Sequence, residues 1–314
     1  MVAQWGIVLV VLGVLVPSQG FAGQAGDPIA VLTEIKANQG EVRVKLASDA
    51  DWKAPLPLLS LRSSDQVRVT QNAQAVLLFT DGQGTVIVST GNSPYTVKAQ
   101  AAALPGTTAD LLGGLSRLLM GKKRILTYVP LTTRSVRQPP LLLSPRDGKL
   151  SGPPVFEWGG SDRLRYTVRL LGPQGVVWAQ ADLPRAPLAY PSSAPPLTPG
   201  VLYQWELETQ DYPVQRGSFT LLTPGDAATV KATLRALEPA ALPAYPKSTV
   251  SLMRATHLFE QALFSDARRE LLAAIAADPD EPTLHLLLGQ VYERTGVMVL
   301  AAEEYDEAQF LSPR

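Results

Sequence analysis

The sequence predicts a multidomain β plus α protein: a small all-β domain, a β-sandwich and a C-terminal set of α-helical hairpins. Three observations carry this expectation. Apolar and polar residues alternate with period two between Ile29 and Val97. Short strand-like runs separated by glycine and proline recur between Leu141 and Leu222. From Ala227 onward the apolar period becomes helical and the chain repeats itself. A length of 314 residues fits two or three such units.

Composition bounds the chemistry. With 46% hydrophobic and 18% charged residues the chain can bury cores, and its 27 prolines imply many turns and linkers. Lys and Arg total 28, as do Asp and Glu, so no net field draws the protein to nucleic acid or anionic membrane. The absence of cysteine excludes disulfides, thiolate zinc sites and thiol nucleophiles together.

At the N-terminus, Trp5 to Val16 is uninterruptedly apolar or glycine, Pro17 ends the run, and Gly20-Phe21-Ala22 places small residues where a signal peptidase reads. A signal peptide over residues 1–22 with cleavage after Ala22 is expected, with a second candidate site after Gly23-Gln24-Ala25. The run is shorter than the ~20 residues a membrane span needs. Residues 1–4 carry no Lys or Arg, which leaves an uncleaved N-terminal anchor as the second reading. The expected location is extracytoplasmic, in the periplasm or at the cell surface.

Residues 28–98 read as the all-β domain. Val42-Arg43-Val44-Lys45-Leu46, Gln66-Val67-Arg68-Val69-Thr70 and Thr85-Val86-Ile87-Val88-Ser89 each alternate. Asp81-Gly82-Gln83-Gly84 lies between two such runs and reads as a hairpin turn. A phosphate-cradling loop would need a helix after the glycines, and a strand follows here.

The residues Asp65, Val67, Arg68 and Thr70, then Ala75, then Asp81-Gly82, preceded by Trp52 and the apolar stretch 56–61, resemble the FecR-type domain. Ser64 stands where that family has glycine, and Val69 separates the Arg-Thr pair. The resemblance implies a periplasmic module. The sigma-factor regulation of its founding members is not expected, because a signal-peptide-like segment rather than a cytoplasmic arm precedes the domain. Asp65, Arg68 and Asp81 otherwise read as shaping turns and a polar strand face.

Residues 99–140 read as a linker. Thr107–Met120 has helical spacing with Leu111, Leu112, Leu115, Leu118 and Leu119, capped near Asp110 and followed by Lys122, Lys123 and Arg124. Packing of this helix on a neighbouring domain is expected ahead of membrane binding.

Residues 141–223 read as the sandwich, with strands expected at Pro154–Trp158, Leu164–Leu171, Gly175–Ala181, Val201–Thr209 and Gly217–Leu222. The corner Leu197, Pro199, Gly200, Tyr203 and Trp205 is similar to that of fibronectin type III domains. That resemblance implies a tyrosine tied to nearby backbone and Trp158 as a core tryptophan near Trp205. Trp178, Tyr190 and Tyr212 are expected in the core rather than on a sugar platform.

Residues 225–314 read as helical. Ala255, Ala267, Leu271, Ala274 and Pro279 recur as Gly289, Ala301, Tyr305, Ala308 and Pro313, and 289 − 255 and 313 − 279 both give 34. With Leu288, Tyr292 and Gly296 in the second copy, these residues resemble two tetratricopeptide (TPR) repeats, over 248–281 and 282–314. The first copy departs from the pattern at Arg254 and Ala262. Small residues suit close helix crossings, and the tyrosines fill the space between. The family implies a concave face that binds an extended peptide or a helix, a groove open to an outside chain. Two repeats are fewer than usually stand alone, so the stretch 227–237 is expected to cover one end and a partner or second copy the other.

No active site is expected. His257 and His285 fall inside the repeats, where packing is the ordinary role. Glu303, Glu304, Asp306 and Glu307 spread around a helix rather than converging on a metal. Hydrolase, zincin and Walker-type motifs do not occur in the sequence. The expected protein is a non-enzymatic envelope scaffold without cofactor or metal that holds a protein partner, with self-association and peptidoglycan contact as further partners and nucleic acid excluded; the alternatives are a cell-wall-associated module and an envelope signalling or transport regulator that senses through the FecR-like domain.

Overall fold

The computed structural model describes residues 27–80, 84–98, 140–184 and 187–313. The expected signal peptide, the expected helix at 107–120 with its basic group, and the expected Asp81-Gly82 turn lie outside the described residues. The described chain holds β-sheets in its N-terminal two-thirds and five helices after them.

The first β unit comprises β1 (Ala30–Lys36), β2 (Val42–Lys45), β3 (Ser60–Leu61), β4 (Gln66–Val69), β5 (Gln74–Phe79), β6 (Thr85–Val88) and β7 (Tyr95–Thr96). Two antiparallel sheets, ordered β3-β1-β5-β6 and β2-β4-β7, enclose a core of Leu32, Ile35, Val44, Val67, Leu77 and their neighbours. β2 and β4 bury alternate residues, as half-solvated strands do. β1 and β5 are buried almost throughout. Their second face is therefore also covered: Val31 and Leu78 belong to the core formed by the helices. Ser64 has φ +74°, in the left-handed region that favours glycine.

The second unit comprises β8 (Leu141–Ser144), β9 (Gly148–Leu150), β10 (Val155–Gly159), β11 (Tyr166–Gly172), β12 (Gly175–Leu183), β13 (Leu188–Ala189), β14 (Leu202–Thr209) and β15 (Gln215–Leu221). Sheets β13-β10-β8 and β12-β11-β14-β15-β9 face each other, antiparallel except where β9 runs parallel to β15. The five expected strands lie on β10, β11, β12, β14 and β15. The short strands β8, β9 and β13 add to them. Between the sheets, Trp205 packs on Phe156 with ring centroids 4.9 Å apart, and Trp158 on Tyr166 at 5.6 Å.

The helices are α1 (Pro224–Ala236), α2 (Lys247–Glu260), α3 (Phe264–Ala277), α4 (Pro282–Arg294) and α5 (Met298–Leu311). Proline at the first turn starts α1 and α4, where its missing N–H costs nothing. The turns inside the two hairpins pass through positive φ, +58° at Ala262 and +73° at Gly296. No helix among the described residues is long and apolar enough to cross a membrane.

Candidate interaction surface: the first-helix face and the strand that covers it

The two helical hairpins, α2–α3 and α4–α5, meet through the small residues of the repeat. Ala255, Ala267, Leu271, Ala274, Leu288, Ala301 and Ala308 are buried, as is Tyr292, while Pro279, Gly296 and Pro313 sit at turns and the chain end. A β-carbon at Gly289 would lie 2.5 Å from Cε1 of Tyr305, so α4 and α5 approach this closely only because Gly289 has no side chain. Tyr305 Oη donates to Glu293 Oε2 at 2.6 Å, and burial pushes the phenol well above its ordinary pKa.

Arg254, where the family has leucine, donates to Glu270 Oε1 at 2.9 Å and to the carbonyl of Leu234 at 3.0 Å. It thereby ties α1 to α2 and α3, with Val230 and Leu237 completing the same core.

The first helices of the hairpins, α2 and α4, face β1. The protein's own strand covers the N-terminal ends of these two helices, so that part of the face expected to stand open is closed. The physical reason lies in β1 itself. β3 pairs with it only at Ala30 and Val31, so the rest of that edge has no strand partner. A bulge between Leu32 and Glu34 re-aims the chain there, and Thr33 and Glu34 both reach the first turn of α2. Thr33 Oγ1 lies 3.1 Å from Thr249 Oγ1. Glu34 Oε1 accepts from Thr249 Oγ1 at 2.6 Å and from the Thr249 N–H at 2.9 Å, capping α2 from another domain.

Glu281, the N-cap of α4, performs the reciprocal service. It accepts from the N–H of Ile35 at 3.1 Å and from the hydroxyl and N–H of Thr283. Lys36 reaches Asp278 Oδ2 at 2.7 Å, and Ser248 donates to the same oxygen. Carboxylate oxygens of Glu34, Asp278 and Glu281 lie within 4.8 Å of one another, and the cation beside them is the Lys36 ammonium. Burial raises the pKa of Glu34. Burial, reinforced by the charge of Glu34, pushes Glu281 up to about 8 against the pull of its Thr283 bonds. Burial works against ionising Asp278, but the Lys36 and Ser248 hydrogen bonds outweigh it and hold that carboxyl low.

The second helix α3 meets the sandwich. Lys149 N–H donates to the carbonyl of Ala262 at 2.7 Å, Ser144 Oγ lies 2.8 Å from Ser265 Oγ, and Arg268 pairs with Glu157. A polar cleft of about 220 Å³ between these elements is lined by Ser151, Glu157, Asp266 and Arg269 among others. The repeat is thus packed between both β units. What it leaves exposed are apolar side chains of its second helices: Leu272 on α3, and Met298, Val299 and Phe310 on α5.

The remaining expected residues fall as follows. Tyr203 Oη accepts from the N–H of Thr198 at 2.9 Å, tying the strand entry formed by Leu197, Pro199 and Gly200 to backbone. Trp158 and Trp205 share one core, although their ring partners are Tyr166 and Phe156. Trp178 stacks on Phe156 and meets Tyr190 edge-on, whereas Tyr212 lies half-buried in the loop after β14. Asp65 accepts from the N–H groups of Ala47 and Arg62, which shapes the turn before β4. Val67 and Ala75 are in the core, Thr70 accepts from the Glu41 N–H, and the Arg68 guanidinium lies 4.6 Å over the Trp52 ring. His285 packs in α4 with Nδ1 2.7 Å from Glu304 and Nε2 3.0 Å from the Pro279 carbonyl, and the Glu304 hydrogen bond raises its pKa against burial. Burial lowers the pKa of His257. Glu303, Asp306 and Glu307 are solvated.

Sequence reasoning missed Glu34, Lys36, Thr249, Asp278 and Glu281. One local signal existed: an acidic residue directly before Pro282, the pattern of an N-cap preceding a helix-starting proline. No curated protein matches the chain. The family model described as tetratricopeptide repeat matches residues 252–314, so the helices whose first face holds β1 carry a tetratricopeptide repeat, a module type that commonly binds protein partners.

Proposed function

We propose that this protein is a non-enzymatic, exported scaffold of the bacterial envelope that holds a protein partner through its tetratricopeptide repeat. The first β unit serves as a FecR-like module and the second as a fibronectin type III-like module, and the signal-peptide-like N-terminus directs the chain out of the cytoplasm. The observation that carries the reading is the repeat's own arrangement. Its first helices fasten the first β unit and α3 meets the second, and its second helices still leave Leu272, Met298, Val299 and Phe310 in solvent. Large apolar side chains left exposed on the second helices favour a contact with another chain over a solvated face.

A second reading, contact with cell-wall glycan, draws on the polar cleft between sandwich and α3, whose serines and charged groups suit a hydroxyl-rich ligand. Photocrosslinkers placed at Val299, Phe310 and Ser151 in the native envelope separate the two. The scaffold reading expects a discrete protein adduct from positions 299 and 310. Muropeptide adducts at 151 with none at the helix positions would contradict it.

A further inference from the structure

We infer that the seam between β1 and the first-helix face is a proton-operated latch. It holds β1 over the starts of α2 and α4 while the Glu34–Glu281 pair carries a proton, and it loosens when both carboxylates are ionised.

The geometry supplies the latch. Glu34 and Glu281 are 2% and 0% exposed, come from opposite sides of the seam, and bring carboxylate oxygens within 4.8 Å of each other. Each also makes the hydrogen bonds that join the two sides: Glu34 caps α2, and Glu281 receives the open edge of β1. The same two groups that hold the seam closed are therefore the ones whose joint ionisation opposes closure.

Among the described residues, Lys36 is the cation beside the pair. β1 contributes Glu34 and Lys36. Its neighbours β3 and β5 carry no titratable side chain. α2 presents the uncharged Ser248 and Thr249, and the α3–α4 connection presents Asp278. α4 presents Glu281 and, one turn on, His285, whose ring is engaged by Glu304 of α5 and the carbonyl of Pro279. Three carboxylates thus face one ammonium, and Lys36 sits 2.7 Å from Asp278 but 3.9 Å from Glu34. With Asp278 held ionised by Lys36, the excess negative charge falls on the Glu34–Glu281 pair.

The direction of the pH effect follows. Glu281 stands at about 8 in the closed seam against 4.5 when free, so closing takes up a proton from water between those values. The stabilisation is fully present below 4.5 and is lost as pH rises through about 8. Within that window the closing constant falls by up to about tenfold per pH unit.

Hydrogen exchange of the full chain, at pH 6 and pH 8.5 and corrected for intrinsic rates, tests this. The Ile35 amide and the first turn of α4 should lose at least about tenfold more protection than the Val168 amide of β11. In Glu281→Gln, or in Glu34→Gln should the first variant not fold, that excess loss should shrink to less than about threefold. Equal losses at Ile35 and Val168 in the unmodified chain, or an undiminished excess in the variant that folds, would overturn the latch. The readout involves the protein alone, so a failed latch leaves the partner-binding reading standing, and a failed partner search leaves the latch standing.

Discussion

The carboxylate of Glu281 accepts a hydrogen bond from the backbone N–H of Ile35 at 3.1 Å, across 246 residues of chain. An edge strand needs partners for its amides, and a helix start needs acceptors for its own. Here each unfinished end completes the other. That end of the repeat's first-helix face is consequently an internal interface, and Val31, Leu58 and Leu78 of the first β unit join the helical core, while each β unit keeps an interior of its own.

Replacing Gly289 by alanine should destabilise the helical region by about 1–2 kcal/mol, even though alanine is the better helix former by about 1 kcal/mol. The added carbon would meet the Tyr305 ring at 2.5 Å. In a Tyr305→Leu background the penalty should shrink, because the rigid ring is what cannot yield. Urea denaturation of the four chains of this cycle measures it, and a Gly289→Ala change that stabilises the parent would contradict the packing.

Tyr203→Phe should cost about 1 kcal/mol with the sandwich fold retained, since it deletes one bond to the Thr198 N–H and keeps the ring on Phe219. Thermal unfolding checks this. An unchanged midpoint would mean that the corner is held by ring packing alone.

His285 should titrate above 6.5, because both ring nitrogens face acceptors and the Glu304 bond favours the charged ring. A raised folded-state pKa means that its stabilisation is present below 6.5 and lost as pH rises through the folded value. Glu304→Gln should lower the midpoint seen by imidazole NMR, and an upward move would reverse the assignment.

On the proposed export, the mature chain should begin at Gly23, following cleavage after Ala22. Mass spectrometry of the intact chain from the envelope reads this directly; a mature chain that retains Trp5–Val16 would support the uncleaved anchor instead.

What the sequence disclosed depended on whether the signal was local. β2 and β4 alternate because one face is solvated, and the hairpins repeat because Gly289, Ala301 and Ala308 must be small wherever helices cross. Strands β8, β9 and β13 are only two to four residues long and leave too short a pattern to read. The seam was illegible for a different reason. Glu34 looks like an ordinary polar position in a strand, and its acceptor role exists only after Thr249 arrives, 215 residues later. The same holds for Glu281, apart from the hint of the proline that follows it. Arg254 likewise reads as a defect in the repeat until the structure shows it binding Glu270 and the Leu234 carbonyl.

The central claim, that β1 lies on the first-helix face, is tested most directly by a covalent trap in a chain that has no cysteine of its own. Thr33 and Thr249 place their hydroxyl oxygens 3.1 Å apart, so the double variant Thr33→Cys/Thr249→Cys brings two thiols to bonding range. Mild oxidation should convert nearly all of the purified monomer to the intramolecular disulfide, seen as the loss of both free thiols and a faster band on non-reducing electrophoresis. Two thiols that remain fully reactive in the folded double variant would contradict the account.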